Sequence, residues 1–163
     1  MSDLFKSSSA VISSCCRYRY RLDRRWGDGP TCGFIMLNPS TADADQDDPT
    51  IRRCIGFAKR EGCGALMVGN LFAFRATNPE DMADADDPDG PENRHFLDNM
   101  AERTDGPLIA AWGAHWMARD TVSEWVRHTF GHRLMCLGKT KDGHPRHPLY
   151  VRADAPLIPL VTQ

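Results

Sequence analysis

The sequence lacks several features that define large classes of protein. It has no CxxC cysteine pair, no apolar run near the roughly 18 residues of a membrane span, and no GxxxxGK[ST] or GxGxxG phosphate loop. Its first residues, MSDLFKSSSAVISSCC, have neither the basic start nor the apolar run of a signal peptide. We therefore expect a cytoplasmic protein without a membrane partner, whose six cysteines are free thiols.

The sequence also lacks an excess of charge of one sign. The formal net charge is −2, so any contact with nucleic acid must use a local basic patch. Five arginines lie between positions 17 and 25, whereas residues 80–89 are strongly acidic. A chain of 163 residues with 41% hydrophobic content is typical of one domain, which we expect to span residues 1–163 and to be a monomer.

Five segments have the pattern of β-strands. In RYRYRL, arginines alternate with apolar residues, as in a strand with one solvated and one packed face, so 16–22 are predicted to form an edge strand. Continuous apolar runs, typical of strands covered on both faces, lie at 32–37, 65–74, 107–113 and 133–138. These four runs predict the centre of a sheet.

Helical patterns separate the apolar runs. Asp48 before Pro49, and Asn78 before Pro79, have the form of an N-cap followed by a first helical residue. Further helices are predicted at 90–106 and 114–130. The alternation of strands and helices predicts an α/β fold, a three-layer α/β/α sandwich around a central, mostly parallel, four-stranded sheet.

The carboxyl ends of parallel strands are where such sheets bind ligands. In this sequence the ends are Asn38–Thr41, Asn70–Phe72, Trp112–His115 and Gly138–Thr140, together with GHPRHPLY at 143–150. We expect the functional site to be built from these loops.

Metal sites are disfavoured by spacing. Asp43, Asp45 and Asp47 resemble the start of a calcium loop, but Asp48 stands where that loop requires glycine and Cys54 where it requires glutamate. The histidines of HPRH have no second close ligand pair at a familiar spacing. We therefore predict no metal and no cofactor.

Two interpretations of the turn after the first apolar run do not involve DNA. Ser40 or Thr41 has the position of a nucleophile in a small-molecule hydrolase that would use a histidine from elsewhere, although the sequence is not GxSxG. Asn38, Pro39 and Ser40 are also ordinary turn residues. Both interpretations stay open at this point.

The order of the motifs resembles the uracil-DNA glycosylase superfamily. Met36-Leu37-Asn38-Pro39-Ser40 is similar to its first motif, G-x-[DN]-P-[GY], and His147-Pro148-Leu149 or His144-Pro145-Arg146 to its HPS motif. Over nearly the whole chain, the phrases MLNPSTAD, DDPTIRRC, NLFAFRAT and PRHPLY resemble a bacterial family, domain of unknown function 1643 (DUF1643). Met36, Ser40 and Leu149 depart from the superfamily motifs, which indicates a base other than uracil.

The resemblance implies a monofunctional DNA glycosylase acting on a modified or damaged base, such as a bulky modified pyrimidine in phage DNA. By resemblance, Asn38 positions the water, His147 donates to the departing base or contacts phosphate, and Asn70 reads the base edge, with Phe72 or Trp112 stacking on it. The implied pocket or backbone contacts are Pro39, Ser40, Thr41, Arg75, Lys139, His144, Arg146 and Pro148. A catalytic role for Asp47, the choice between His144 and His147, and a non-catalytic nucleic-acid-binding module remain open.

Overall fold

A computed structural model describes residues 7–119 and 121–161 as a mixed α/β fold. Its strands are β1 (Ser7–Ile12), β2 (Arg19–Arg25), β3 (Thr31–Met36), β4 (Ala65–Asn70), β5 (Leu108–Ala110), β6 (Leu134–Cys136) and β7 (Ile158–Pro159). Its α-helices are α1 (Pro49–Arg60), α2 (Pro79–Ala83), α3 (Asn93–Arg103) and α4 (Thr121–Phe130). Short 3₁₀ helices lie at Trp116–Arg119, Gly131–Arg133 and Pro148–Tyr150.

The strands of the described segments form a seven-stranded sheet in the order β1-β2-β4-β3-β5-β6-β7. The four predicted apolar runs contain β4, β3, β5 and β6, which are neighbours and pair in parallel. The outer strands β1, β2 and β7 pair antiparallel. The predicted four-stranded sheet is therefore corrected to a mixed sheet of seven strands, since three antiparallel strands extend the parallel centre.

The predicted edge strand at 16–22 is also corrected. Strand β2 lies inside the sheet, because the polar segment Ser7–Ile12 pairs along its outer side. Arg19, expected on the solvated face, is only 2% exposed, and so is Arg24 further along the strand. Their guanidinium groups are buried because they donate to backbone carbonyls of the loop that precedes α1.

The helices cover both faces of the sheet. Helix α1 begins where predicted: Asp48 Oδ1 accepts a hydrogen bond from the backbone N–H of Ile51 at 2.8 Å, and Pro49 is the first helical residue. Its apolar side packs with β3 and β4 in one buried cluster, while α3 and α4 contribute to a second cluster with β5 and β6. The sheet thus separates two apolar cores, one on each of its faces.

The register of the two central strands sets the position of the site. Met36 pairs with Asn70 in the parallel ladder between β3 and β4, so both strands end at the same edge. Asn38 follows one strand and Asn70 is the last residue of the other. In the described segments, no helix has the length and apolarity needed to cross a membrane.

Candidate functional site

A cavity of about 640 Å³ lies at the carboxyl ends of β3, β4 and β5. It is lined by the ends of β3 and β4, the start of α1, the loop after β5 and the loop after β6. The lining residues include Met36, Asn38, Ser40, Asp48, Ile51, Val68, Asn70, Trp112, His115, Arg146, His147, Leu149 and Tyr150. Its volume is in the range of small-molecule and cofactor pockets, about 300–1,000 Å³. The cavity is therefore large enough for a nucleobase with a substituent.

The cavity brings together residues that lie far apart in the sequence. Six predicted site residues line it: Asn38, Ser40, Asn70, Trp112, Arg146 and His147. Seven others lie outside this lining in the described structure: Pro39, Thr41, Phe72, Arg75, Lys139, His144 and Pro148. The predicted strand-end location is thus occupied by a cavity, but only part of the predicted set reaches it.

The residues outside the lining have identifiable structural contacts. The Pro39 carbonyl accepts a hydrogen bond from the backbone N–H of Ala76, and Pro148 is buried at the start of its 3₁₀ helix. Arg75 donates from Nη1 to the carbonyl of Cys16, and Lys139 forms a β-bridge with Pro145. Thr41 is solvent-exposed.

Phe72 is corrected from a base-stacking candidate to a core residue. It is 1% exposed and belongs to the apolar cluster that contains α3 and α4. Its backbone N–H donates to Leu37 O at 3.0 Å, and its side chain does not contribute to the cavity lining in the described structure. Trp112, the other aromatic candidate, does line the cavity.

The two His-Pro pairs differ in their location. His147 lines the cavity, whereas His144 does not contribute to that lining in the described structure. The backbone N–H of His144 donates to Thr140 Oγ1 at 3.1 Å, and its carbonyl accepts from Thr140 N–H at 2.8 Å. His144 therefore closes the turn that carries His147 to the site.

Asn70 is the most unusual polar group of the cavity. Its side chain is 1% exposed, and neither Oδ1 nor Nδ2 has a hydrogen-bond partner in the part of the chain that the structure describes. Burial of an amide without partners costs about 1–3 kcal/mol, so such groups usually bind something that the protein alone does not provide. Asn70 thus offers a donor and an acceptor side by side to a ligand.

Asn38 is held in one orientation. Its Nδ2 donates to the carbonyl of Ala76 at 2.8 Å and to that of Pro39 at 3.1 Å. Both protons of the amide are thereby engaged, so the oxygen Oδ1 is the atom of this side chain left to interact with a ligand or water. An amide oxygen orients a water molecule but does not take its proton.

His147 has a defined neutral tautomer. Its Nδ1 accepts a hydrogen bond from the backbone N–H of Leu149 at 3.2 Å, so the proton of the neutral ring lies on Nε2. Burial lowers the pKa of His147, with a smaller opposing effect from the carboxylate of Asp48. At neutral pH the ring is therefore an uncharged Nε2–H donor.

Arg19, Asp48 and His115 line the cavity but were not among the site residues predicted from sequence. Arg19 was taken for part of a solvated strand face, and Asp48 for a helix cap alone, yet both line the cavity. His115 lies in a predicted loop; its Nε2 is 2.9 Å from Glu80 Oε1, and its Nδ1 accepts from Met117 N–H. No signal in the sequence distinguishes Arg19 from the other arginines of its segment.

The acidic segment before α1 has a structural role. Asp47 Oδ1 lies 2.9 Å from Nε of the buried Arg24, and Asp43 Oδ1 accepts from the backbone N–H groups of Asp45 and Gln46. Asp47 does not contribute to the cavity lining in the described structure. Residues 7–119 and 121–161 contain no cluster of three or more histidine, cysteine or acidic side chains that could hold a metal ion.

The hydrolase alternative would require a histidine beside Ser40. Ser40 lines the cavity, but no histidine within the described ranges is hydrogen-bonded to its hydroxyl. His147 and His115 each use Nδ1 as an acceptor for a backbone N–H. The residues that the structure describes thus contain no hydrogen-bonded Ser-His pair at Ser40 of the kind used by serine hydrolases.

The fold and the site define a mixed α/β protein with a ligand cavity at the ends of its parallel strands. The family described as "Protein of unknown function (DUF1643)" matches residues 19–149, and the chain belongs to this family. The match includes Asn38, Asn70 and His147. No curated protein and no solved structure gave a significant match.

Proposed function

We propose that this chain is a monofunctional DNA glycosylase that hydrolyses the N-glycosidic bond of a modified or damaged base flipped into the cavity. The observation that carries the proposal is the buried amide of Asn70, to which the described protein atoms offer no hydrogen-bond partner. A donor and an acceptor side by side match the edge of a nucleobase, which presents the same two groups in complementary order.

The walls around Asn70 suit a planar ring. Met36, Val68 and Ile51 are each at most 5% exposed and supply apolar surface. Trp112 also lines the cavity; its ring packs in the apolar cluster of α3 and α4, and its buried Nε1–H has no acceptor within the described ranges. Apolar faces with a few oriented polar groups are typical of sites that bind a flipped base.

Asn38 and His147 supply the two functions that hydrolysis requires. The oxygen of Asn38, fixed by the hydrogen bond to Ala76, would orient a water molecule toward C1′ of the sugar. The Nε2–H of neutral His147 would donate to the oxygen of the base as it leaves with the bonding electrons. The water gives its proton to solvent as the new C–O bond forms.

The mouth of the cavity supports a macromolecular substrate. Leu149 and Tyr150, which follow His147, are 43% and 78% exposed, and Arg146 on the same loop is also exposed. Exposed apolar side chains beside a cation are suited to insert between bases while the arginine contacts phosphate. This arrangement favours DNA over a free small molecule.

The fold gives further support. Four neighbouring parallel strands with helices on both faces are compatible with the three-layer, uracil-DNA glycosylase-like domain that the motif order implies. Asn38, Asn70 and His147 occur in the same order as the corresponding motifs of that superfamily. Removal of a bulky pyrimidine from phage DNA, in the cytoplasm, is the function that we propose on this basis.

The test is excision from a panel of oligonucleotides. Purified protein is incubated with single- and double-stranded DNA carrying uracil, oxidised, alkylated or bulky C5-modified pyrimidines, and abasic sites are detected by alkaline cleavage. We expect cleavage at a modified base for the wild type and its loss in Asn38→Ala, with Asn99→Ala on α3 as the matched control. Binding without abasic sites on every substrate would instead indicate the non-catalytic module.

A further inference from the structure

The cavity contains a buried cation that is short of partners. Arg19 is 2% exposed and lines the cavity. Its Nη1 donates to the carbonyl of Ala42 at 2.7 Å, while Nε has no acceptor and no carboxylate forms an ion pair with the group among the described residues. Buried charges in proteins are normally paired, because removal of a charge from water is costly.

A second arginine of the same strand shows the usual arrangement. Arg24 is equally buried, but its Nε pairs with Asp47 at 2.9 Å and its other nitrogens donate to backbone carbonyls. The two arginines differ in their surroundings: Arg24 faces the acidic segment, whereas Arg19 faces the cavity. The guanidinium of Arg24 thus has an ion-pair partner and hydrogen-bond acceptors, whereas that of Arg19, beside the cavity, lacks an acceptor for Nε.

The electrostatic surroundings do not neutralise Arg19. Burial lowers the pKa of Arg19 to about 10, so the group stays protonated at neutral pH. The carboxylates of Asp48 and Asp43 oppose this decrease, and the positive charges of Arg75 and Arg24 add to it. Asp48 is also engaged as the cap of α1 through its bond with Ile51 N–H. A further anion beside Arg19 would therefore be stabilised.

We propose that Arg19 binds an anionic oxygen group of the substrate and so selects a nucleotide that carries such a group within the cavity. This inference rests on the proposed function and narrows its substrate class. A carboxylate on the base and the phosphate of the nucleotide share this chemistry. Arg19 is buried in the same cavity that Asn70 lines, which favours the base-borne group, because a base read by Asn70 would carry its substituent inward.

The experiment compares ligands that differ mainly in charge. Binding to the wild-type chain is measured calorimetrically for uracil-5-carboxylate against uracil-5-carboxamide, and for uracil-6-carboxylate against uracil-6-carboxamide. A third pair, 2′-deoxyuridine 5′-monophosphate against 2′-deoxyuridine, tests the phosphate. We expect the anionic member of at least one pair to bind about tenfold more tightly or better, as for a hydrogen bond to a charged group.

The source of the anion follows from which pair shows the preference. A preference in a carboxylate pair assigns the group to the base, and a preference in the phosphate pair alone assigns it to the nucleotide backbone. In R19Q the preference should disappear, whereas R24Q, which removes an equally buried guanidinium, should retain it; circular dichroism checks that both variants fold.

If R19Q does not fold, the carboxylate and carboxamide pairs still test the inference in the wild type, because the two members of each of these pairs have similar shapes. The inference would be overturned if the wild type bound no anionic ligand more tightly than its neutral counterpart, or bound none of the ligands. It would also be overturned if R19Q retained the preference for the anionic ligand. Since free bases and nucleosides are used, the result does not depend on excision. An anionic preference without abasic sites on any DNA would contradict the glycosylase proposal and leave Arg19 as an anion-binding residue.

Discussion

The side chain of Asn38 donates from Nδ2 to the backbone carbonyl of Ala76, 2.8 Å away, and this bond joins the end of β3 to the loop after β4. It fixes the direction of the amide oxygen at the cavity. A residue that orients water through a fixed oxygen acts on the rate of the chemical step more than on substrate binding.

Replacement of Asn38 should therefore separate rate from affinity. In Asn38→Ala we expect the single-turnover excision rate to fall about 100-fold, a typical loss when a positioned catalytic group is removed, while the affinity for the same DNA stays within about threefold. Single-turnover kinetics and fluorescence anisotropy measure the two quantities. Equal losses of rate and affinity would show that Asn38 only holds the substrate.

The excision rate should decrease at low pH because of His147. Because burial lowers the pKa of His147 below its ordinary value of 6.5, the neutral Nε2–H donor persists at and somewhat below that pH. Protonation keeps the Nε2–H but places a proton on Nδ1, which can then no longer accept the Leu149 N–H that orients the ring, so we expect a His147-dependent rate that is constant at neutral pH and falls only once pH drops below the lowered pKa. A rate that already declines above pH 6.5 would contradict this assignment.

The same shift predicts a pH dependence of stability. A histidine whose folded pKa is depressed contributes stability that is present above the unfolded pKa and is lost as pH falls through the folded pKa. Urea denaturation of the wild type and of His147→Gln at a series of pH values measures the difference. We expect the wild type to lose more unfolding free energy than the variant as pH falls below 6.5.

Asp47 should affect stability without affecting chemistry. In Asp47→Asn the buried guanidinium of Arg24 loses its carboxylate partner, so we expect a decrease of about 1–3 kcal/mol in the free energy of unfolding. The excision rate of the folded fraction should be unchanged, because the carboxylate points to Arg24. A large decrease in the excision rate of a fully folded Asp47→Asn variant would instead assign Asp47 to the activation of water.

Replacements of Phe72 and Trp112 should differ in their effect on excision. Phe72→Leu changes the packing of the core and is expected to cost about 1 kcal/mol of stability with little effect on excision. Trp112→Phe reduces a buried ring of the same cluster and removes an Nε1–H that lacks a partner among the described residues, so a loss of stability should be accompanied by a decrease in excision. Thermal melts and excision rates of the two variants measure this contrast.

Local sequence patterns predicted the strands and helices whose signals lie within the segment itself. The apolar runs of β3 and β4 and the Asp48 cap of α1 are local signals, and the structure has these elements at the expected positions. Strand β1 was missed because SSSAVI is short and half polar, and its pairing with β2 supplies the missing stabilisation. That pairing also moved β2 from the edge of the sheet to its interior.

The site was predictable in location but not in all its residues. Asn38 directly follows an apolar run, Asn70 ends β4 and His147 lies in the loop after β6, so the parallel arrangement of the strands brings them to one edge. Arg19 was missed because the acceptor of its guanidinium, the carbonyl of Ala42, lies 23 residues away in a loop. Burial of a charged residue depends on such distant partners, which the alternation in RYRYRL does not reveal.

The most direct test of the account identifies the released product. DNA that carries the modified base excised in the panel is incubated with the protein, the polymer is removed by filtration, and the filtrate is analysed by mass spectrometry. We predict that the intact free base is released in the same amount as abasic sites form, and that Asn38→Ala and Asn70→Ala release little of it. Abasic sites or cleavage without free base, or undiminished release by Asn70→Ala, would contradict excision of a base read by Asn70 in this cavity.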